Sequence, residues 1–176
     1  MKTFRELAIL ESKDSVGIMI GRFQPVTKAH TSIIEKISKE NKTGIIYLVK
    51  GKKSSEDKEK NPFDSDIQIK MLEKIIPSNI SIEIISSAFF VDELKTMKES
   101  KFVIYAGSDR VKSYKSFEKY LEDDKTLEVK EIKRTDEDIS ATKVRDSLKN
   151  DDLDTFKSLT PKNIHSMFNE LKTYIS

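Results

Sequence analysis

The segment from Gly21 to His30, GRFQPVTKAH, contains the residue types most suited to chemistry in this sequence. Its glycine lets backbone amides come close to a ligand, and Pro25 restricts the turn. The hydroxyl of Thr27 and the imidazole of His30 lie three residues apart, a spacing that puts both on one face of a helix's first turn. The N-terminus of a helix attracts anions through its free N–H groups and its dipole. We therefore expect Thr27 and His30 to contact a phosphate.

The elements around this segment alternate between strands and helices. Apolar runs predict strands, and apolar residues at helical spacing predict helices. The predicted strands are 16–20, 44–49, 80–85, 102–106 and the alternating edge strand 127–132, and the predicted helices are 32–39, 64–76, 91–97 and 113–121. From Ala141 onward the sequence predicts two or three helices, with Pro161 at the start of the last. This alternation indicates an α/β fold, a Rossmann-like doubly wound parallel sheet followed by C-terminal helices.

Parallel sheets of this kind bind ligands at the carboxyl ends of their central strands, which is where GRFQPVTKAH begins. We expect a single domain over 1–176, divided into an N-terminal helix (1–14), a core (15–150) and C-terminal helices (151–176).

The stretch 50–61 is almost entirely charged or small, so we expect an exposed mobile loop there, closed by Pro62. It could close over a second substrate.

The composition excludes several classes of site. The chain has 176 residues with no Cys and 2 His, which removes disulfides, thiolate metal sites and cysteine nucleophiles. A formal net charge of +2 provides no general basic field for nucleic acid. No apolar run reaches the roughly 18–20 residues that span a bilayer. We expect a soluble, cytoplasmic protein that binds neither membranes nor nucleic acid, and the oligomeric state stays open.

Two further motifs accompany GRFQPVTKAH, which itself lacks both the GxGxxG and the GxxxxGK[ST] pattern. Tyr105–Arg110 reads YAGSDR after a predicted strand, and Ile139–Arg145 reads ISATKVR where a helix begins. Together these motifs resemble the (H/T)xGH nucleotidyltransferases, which include nicotinamide-mononucleotide, pantetheine-phosphate and cytidylyl transferases. Ala29 replaces the glycine usual in that pattern. More narrowly, with Lys60-Asn61-Pro62, the chain resembles nucleotidyltransferase-like proteins of tailed phages, in which case the host cytoplasm is its location.

The resemblance implies roles for individual residues. Thr27 and His30 would hold the α-phosphate of a nucleoside triphosphate, and Arg145, as a planar donor, would bind the β- and γ-phosphates. Mg²⁺ would enter with the triphosphate, without a protein metal site. The remaining candidates for nucleotide binding are Gly21, Arg22, Phe23, Gly107, Asp109, Arg110, Ile139, Ser140 and Thr142, and the candidates for an acceptor phosphate are Lys28 and Lys50. Ser140 is also placed to cap its helix, and Asp109 could be no more than a helix cap.

The implied reaction transfers a nucleoside monophosphate to a phosphomonoester acceptor and releases pyrophosphate. The best guess for the substrates is ATP with nicotinamide mononucleotide, giving NAD, because GRFQP resembles that branch. Phe23, Phe63, Phe89 and Phe90 could also offer rings for stacking on a pyridine. Thr27 in place of a first histidine favours instead a cytidylyl or pantetheine-phosphate branch. An alternative of another class is a non-enzymatic, nucleotide-binding phage assembly protein that docks through its N-terminal helix.

Overall fold

The computed structural model describes residues 3, 14–51, 56–133 and 140–175. The predicted N-terminal helix therefore lies almost wholly outside the described residues, as does Ile139. No helix in the described part of the chain is long and apolar enough to cross a membrane.

Five parallel strands form one sheet in the order β3-β2-β1-β4-β5. The strands are β1 (Val16–Gly21), β2 (Thr43–Val49), β3 (Ile80–Ile85), β4 (Lys101–Gly107) and β5 (Thr126–Ile132). The predicted α/β class and the edge position of the strand near 127–132 are both confirmed. The chain builds β1, β2 and β3 outward in one direction and then crosses to place β4 on the other side of β1. Such a reversal leaves a crevice at the carboxyl ends of β1 and β4.

Helices connect the strands and complete the C-terminus. They are α1 (Lys28–Glu40), α2 (Ser65–Glu73), α3 (Val91–Thr96), α4 (Ser108–Lys115), α5 (Ala141–Lys149), α6 (Leu153–Leu159) and α7 (Phe168–Lys172), with 3₁₀ turns at Ser116–Tyr120 and Lys162–Met167. Asp64 caps α2, because its carboxylate accepts a hydrogen bond from the Ile67 N–H at 3.1 Å. Pro161 precedes the second 3₁₀ turn.

Both faces of the sheet are buried, which explains the nearly continuous apolar runs of the central strands. Met19, Ile46 and Leu48 point toward a core shared with α1, α2 and the C-terminal helices. Their neighbours Ile18 and Tyr47 point to the opposite core, built with α3, α4 and the first 3₁₀ turn. The alternation follows from the two-residue period of a strand.

The helix predicted at 113–121 differs from the structure. It begins at Ser108, directly after β4, and is followed from Ser116 by a 3₁₀ turn. The sequence pattern misses the first turn because its residues Asp109 and Arg110 are polar and face a cleft rather than the core. Asp109 therefore lies within the helix, and Gly107 occupies the N-cap position.

Candidate active site

A cleft of about 1130 Å³ opens at the carboxyl ends of β1 and β4. Its walls come from the β1–α1 turn, the first turns of α4 and α5, and the segment before α2. Among its lining residues are most of the sequence-predicted site residues: Gly21, Arg22, Phe23, Thr27, His30, Gly107, Asp109, Arg110, Ser140, Thr142 and Arg145. Residues from three distant motifs thus meet in one cleft, as the order of the strands requires.

Thr27 and His30 form the N-terminal end of α1. Thr27 occupies the N-cap position with extended backbone, and its N–H donates to Nδ1 of His30 at 3.0 Å. The Thr27 hydroxyl lies 3.1 Å from the same nitrogen. Nδ1 therefore acts as the acceptor, which leaves the proton of the neutral ring on Nε2. The imidazole is held as a donor whose N–H is available to an oxyanion in the cleft.

His30 is neutral at pH 7 in the free protein. Burial lowers its pKa to about 4 from an ordinary value of 6.5. A proton on Nδ1 would also turn the acceptor of the Thr27 N–H into a donor, which opposes protonation for a second reason. The ring is half-buried, with one side against Phe23 at a centroid distance of 4.9 Å. The site thus presents a neutral hydrogen-bond donor rather than a fixed cation.

Gly21 ends β1 where the chain must pass close to the ring of Phe23. A Cβ at position 21 would lie 3.0 Å from the Cε2 and Cζ atoms of that ring, closer than side chains normally pack. Phe23 itself has φ of 45° and is only 2% exposed. The glycine thus lets Phe23 fold under the turn, and Phe23 in turn supports the imidazole of His30.

Arg145 reaches the β1–α1 turn from the first turns of α5. Its guanidinium donates to the carbonyl oxygen of Gln24 at 2.6 Å and to the hydroxyl of Thr142 at 3.2 Å. Burial lowers the pKa of Arg145, but a guanidinium stays charged in proteins. The predicted cap of this helix is confirmed, since the Ser140 hydroxyl accepts from the Thr142 N–H at 3.1 Å. The cleft side of α5 therefore combines a capped helix start with a tethered cation.

The two lysines proposed for an acceptor phosphate do not line the cleft. Lys28 and Lys50 are exposed and lie outside its wall. Three of the four phenylalanines considered for ring stacking are also unsuited to it, because Phe23, Phe63 and Phe90 are at most 2% exposed. Phe89, by contrast, is 51% exposed.

The later residues of the charged loop before Pro62 have a defined structure, which the composition did not predict. Its later residues form a turn in which the backbone N–H and the side-chain amide of Asn61 both donate to the carbonyl of Asp57, at 2.9 and 3.1 Å. Asn61 is 8% exposed. This turn brings Glu59, Lys60 and Asn61 to the cleft wall. The preceding positions 52–55 lie outside the described residues.

Sequence reasoning also missed Lys149, Asp146 and the structural part played by Gln24. Lys149 lies four residues after Arg145 on α5, and this helical spacing could have identified it. The cleft has more cations than carboxylates in its lining: Arg22, Lys60, Arg110, Arg145 and Lys149 against Glu59, Asp109 and Asp146. Among the described residues, Arg22, Arg145 and Lys149 have no carboxylate within ion-pair distance. Lys60 pairs with Asp57 at 3.4 Å, and Arg110 pairs with Asp109 at 3.5 Å.

The comparison with protein families decides how this arrangement is classified. The model of the family described as cytidylyltransferase-like matches residues 18–147, well over half of the chain. The chain belongs to the cytidylyltransferase-like family. The predicted membership in the nucleotidyltransferase superfamily is therefore confirmed, and the family's match covers all three motifs, from β1 to α5. No curated protein matches the chain by sequence.

Solved structures agree with the fold of this cytidylyltransferase-like chain. A bifunctional NMN adenylyltransferase/ADP ribose pyrophosphatase from Francisella tularensis, complexed with AMP and a manganese ion, is similar with a TM-score of 0.63 and 21% identity over 91% of this chain and 50% of that one. TmcAL from Thermotoga maritima, bound with alpha-thio ATP, has a TM-score of 0.59 and 10% identity over 89% of this chain and 55% of its own. The chain thus spans about half the length of these structures. The Rossmann-like fold is confirmed.

Proposed function

We propose that this protein is a nucleotidyltransferase that transfers a nucleoside monophosphate from a nucleoside triphosphate to a phosphomonoester. The observation that carries the proposal is the convergence of Thr27, His30 and Arg145 on one cleft at the carboxyl ends of β1 and β4. Three helix N-termini, those of α1, α4 and α5, lie at the same cleft. Free N–H groups and the unpaired cations suit a chain of phosphates.

The reaction needs no covalent enzyme intermediate. A phosphate oxygen of the acceptor attacks the α-phosphorus, a new P–O bond forms, and the bond to the β-phosphate oxygen breaks to release pyrophosphate. The acceptor oxygen is already ionised, so no strong general base is required. In this site the Nε2–H of neutral His30 donates to an oxygen of the α-phosphate as negative charge develops there. Arg145 neutralises the departing pyrophosphate.

A divalent cation would be held mainly by the triphosphate itself. The described residues contain no group of three or more His, Asp or Glu side chains that could hold a metal. Mg²⁺ keeps water ligands readily and commonly binds through substrate phosphates. When bound, the ion would supply charge neutralisation at phosphate oxygens, and Glu59, Asp109 and Asp146 are the cleft carboxylates that could contact it or its waters.

For the substrates, we propose ATP and nicotinamide mononucleotide, with NAD as the product. The support is the GRFQP sequence of the β1–α1 turn and the similarity in fold to the Francisella tularensis NMN adenylyltransferase. The second candidate is cytidylyl transfer from CTP to an alcohol phosphate. The match to the cytidylyltransferase-like family favours it, as does Thr27 at the first position of the TxxH pair.

The experiment compares donor and acceptor pairs with the purified full chain and Mg²⁺. Pyrophosphate release is measured for ATP or CTP with nicotinamide mononucleotide, pantetheine phosphate or an alcohol phosphate, and products are identified by mass. NAD formed from ATP and not from CTP supports the proposal. Faster release with CTP and an alcohol phosphate assigns the protein to cytidylyl transfer. No turnover with any pair, together with retained ATP binding, favours the non-enzymatic assembly protein.

The two histidines provide a matched pair of variants. His30→Ala should lower turnover by about 10²–10³-fold, the usual effect of removing one preorganised donor. His165→Ala is the control, because its ring contacts the carbonyl of Thr160 in the C-terminal region, away from the cleft. Equal turnover in the His30 variant and the wild type would contradict the proposed mechanism.

A further inference from the structure

Gln24 connects three parts of the cleft that are distant in sequence. Its side-chain amide binds both main-chain groups of Phe63, with Nε2 donating to the carbonyl at 2.7 Å and the Phe63 N–H donating to Oε1 at 2.9 Å. Its own main-chain carbonyl accepts from Arg145 at 2.6 Å. Gln24 is 8% exposed. Both ends of the buried amide are thereby bonded to the backbone of another segment.

The segment that Gln24 holds forms one wall of the cleft. Phe63 is 2% exposed, and the turn that precedes it carries Glu59, Lys60 and Asn61 to the lining. A second glutamine supports the same junction, since Nε2 of Gln68 donates to the carbonyl of Arg22. The β1–α1 turn is therefore fixed to the segment around Phe63 by side chains rather than by a strand ladder.

We infer that Gln24 is a positioning residue for the polyphosphate site, because its amide fixes the turn whose carbonyl oxygen holds the guanidinium of Arg145. This inference rests on the proposed function, in which Arg145 binds the β- and γ-phosphates. Arg145 has no carboxylate partner among the described residues, and its hydrogen bonds go to Gln24 and Thr142. The orientation of the Arg145 guanidinium thus depends on the position of the β1–α1 turn. Because the guanidinium is planar, its paired hydrogen bonds to phosphate oxygens depend on that orientation.

The effect should be selective within the cleft. Val26 and Thr27, which follow Gln24, are at most 1% exposed and are held by the core and by α1. The bonds between Thr27 and His30 lie within the first turn of α1 and do not involve the Gln24 amide. Loosening Gln24 should disturb the position of Arg145 more than that of His30, and binding of a polyphosphate more than binding of a monophosphate.

The test uses Gln24→Met, which keeps the length of the side chain and removes both bonds to Phe63. Asn79→Leu is the matched control, because Asn79 also bonds a distant segment through its amide, to Ser38, at the opposite end of the sheet. Affinities for tripolyphosphate and for AMP are measured by calorimetry. We expect Gln24→Met to weaken tripolyphosphate binding about 10-fold or more and AMP binding less than 3-fold, and Asn79→Leu to change neither by 3-fold.

Two further measurements separate positioning from general destabilisation. Amide hydrogen exchange should accelerate at Phe63 in Gln24→Met and not in Asn79→Leu. In a double-mutant cycle, adding Arg145→Lys to Gln24→Met should cost tripolyphosphate affinity much less than Arg145→Lys costs alone. Gln24→Asn keeps the amide and adds no charge but is one methylene shorter, and it provides a milder variant with the same direction of effect if Gln24→Met does not fold.

The outcomes distinguish this inference from the proposed function. Unchanged tripolyphosphate affinity in both Gln24 variants, with faster exchange at Phe63, would overturn the positioning role while leaving the phosphate site intact. Equal losses of tripolyphosphate and AMP affinity would reduce Gln24 to a purely structural residue. A wild-type protein that binds no tripolyphosphate would contradict the proposed site and this inference together.

Discussion

Acidification should destabilise the protein through His30. Burial lowers the pKa of this histidine to about 4, whereas an unfolded chain titrates near the ordinary value of 6.5. Between these two values the unfolded state binds a proton that the folded state does not. The free energy of unfolding must therefore fall as the pH decreases from about 6.5 toward 4, and the contribution of His30 is fully present only above 6.5.

The size of this effect follows from the pKa difference. One pKa unit corresponds to about 1.4 kcal/mol, so a pKa of about 4 in place of 6.5 is worth at most about 3–4 kcal/mol. The ring is half-buried and faces an open cleft, where water reduces the cost of a charge. We therefore expect a loss of about 1–2 kcal/mol between pH 7.5 and pH 5.

The assay is urea unfolding of the wild type and His30→Gln at several pH values from 5 to 8. Carboxylates titrate in both proteins, so the difference between the two curves isolates His30. Gln can still accept the Thr27 N–H as in a capping box, which keeps α1 comparable. The free energy of unfolding of the wild type, relative to that of His30→Gln, should fall by about 1–2 kcal/mol between pH 7.5 and pH 5. Parallel curves would refute the reasoning, as would an NMR titration of His30 with a midpoint near 6.5.

Three further substitutions test the packing of the core and of the β1–α1 turn. Tyr47→Phe should leave stability unchanged or raise it by about 1 kcal/mol in thermal unfolding, because the buried Tyr47 hydroxyl lacks a hydrogen-bond partner in the described structure; a loss above that size would show an unseen partner. Gly17→Ala should cost about 2 kcal/mol or more, since the new Cβ would lie 2.5 Å from Nδ2 of buried Asn41. Gly21→Ala should lower turnover about 10-fold with a smaller effect on unfolding, because it displaces Phe23; unchanged turnover would contradict that coupling.

The sequence was most informative where one element decides a residue's position. The central strands read as apolar runs because both sheet faces are covered, so β1, β2 and β4 were predictable from their residues alone. Thr27 and His30 were predictable as neighbours because three residues of helix geometry separate them. The cap at Ser140 is equally local, since its partner is the N–H of Thr142.

The sequence was least informative where distant segments meet. The bonds between Gln24 and Phe63 join residues 39 apart, and no periodicity relates the two positions. The ordered turn at Asn61 depends on Asp57 within a segment whose composition suggests solvent. The aromatic ring of Phe63, considered for stacking on a pyridine, is 2% exposed and packs near Tyr174 at a centroid distance of 6.0 Å.

The affinity for phosphates that we propose arises from topology rather than from overall charge. A net charge of +2 on 176 residues gives no hint of an anion site. The reversal of strand order between β1 and β4 leaves one crevice, and the chain enters α4 directly from β4 and enters α1 from β1 through the turn 22–27. Both helices therefore begin at the crevice, and Arg145 joins them from α5 through the carbonyl of Gln24. The positive potential is thus local and depends on contacts between segments, so changes at Gln24 should alter polyphosphate binding without any change in charge.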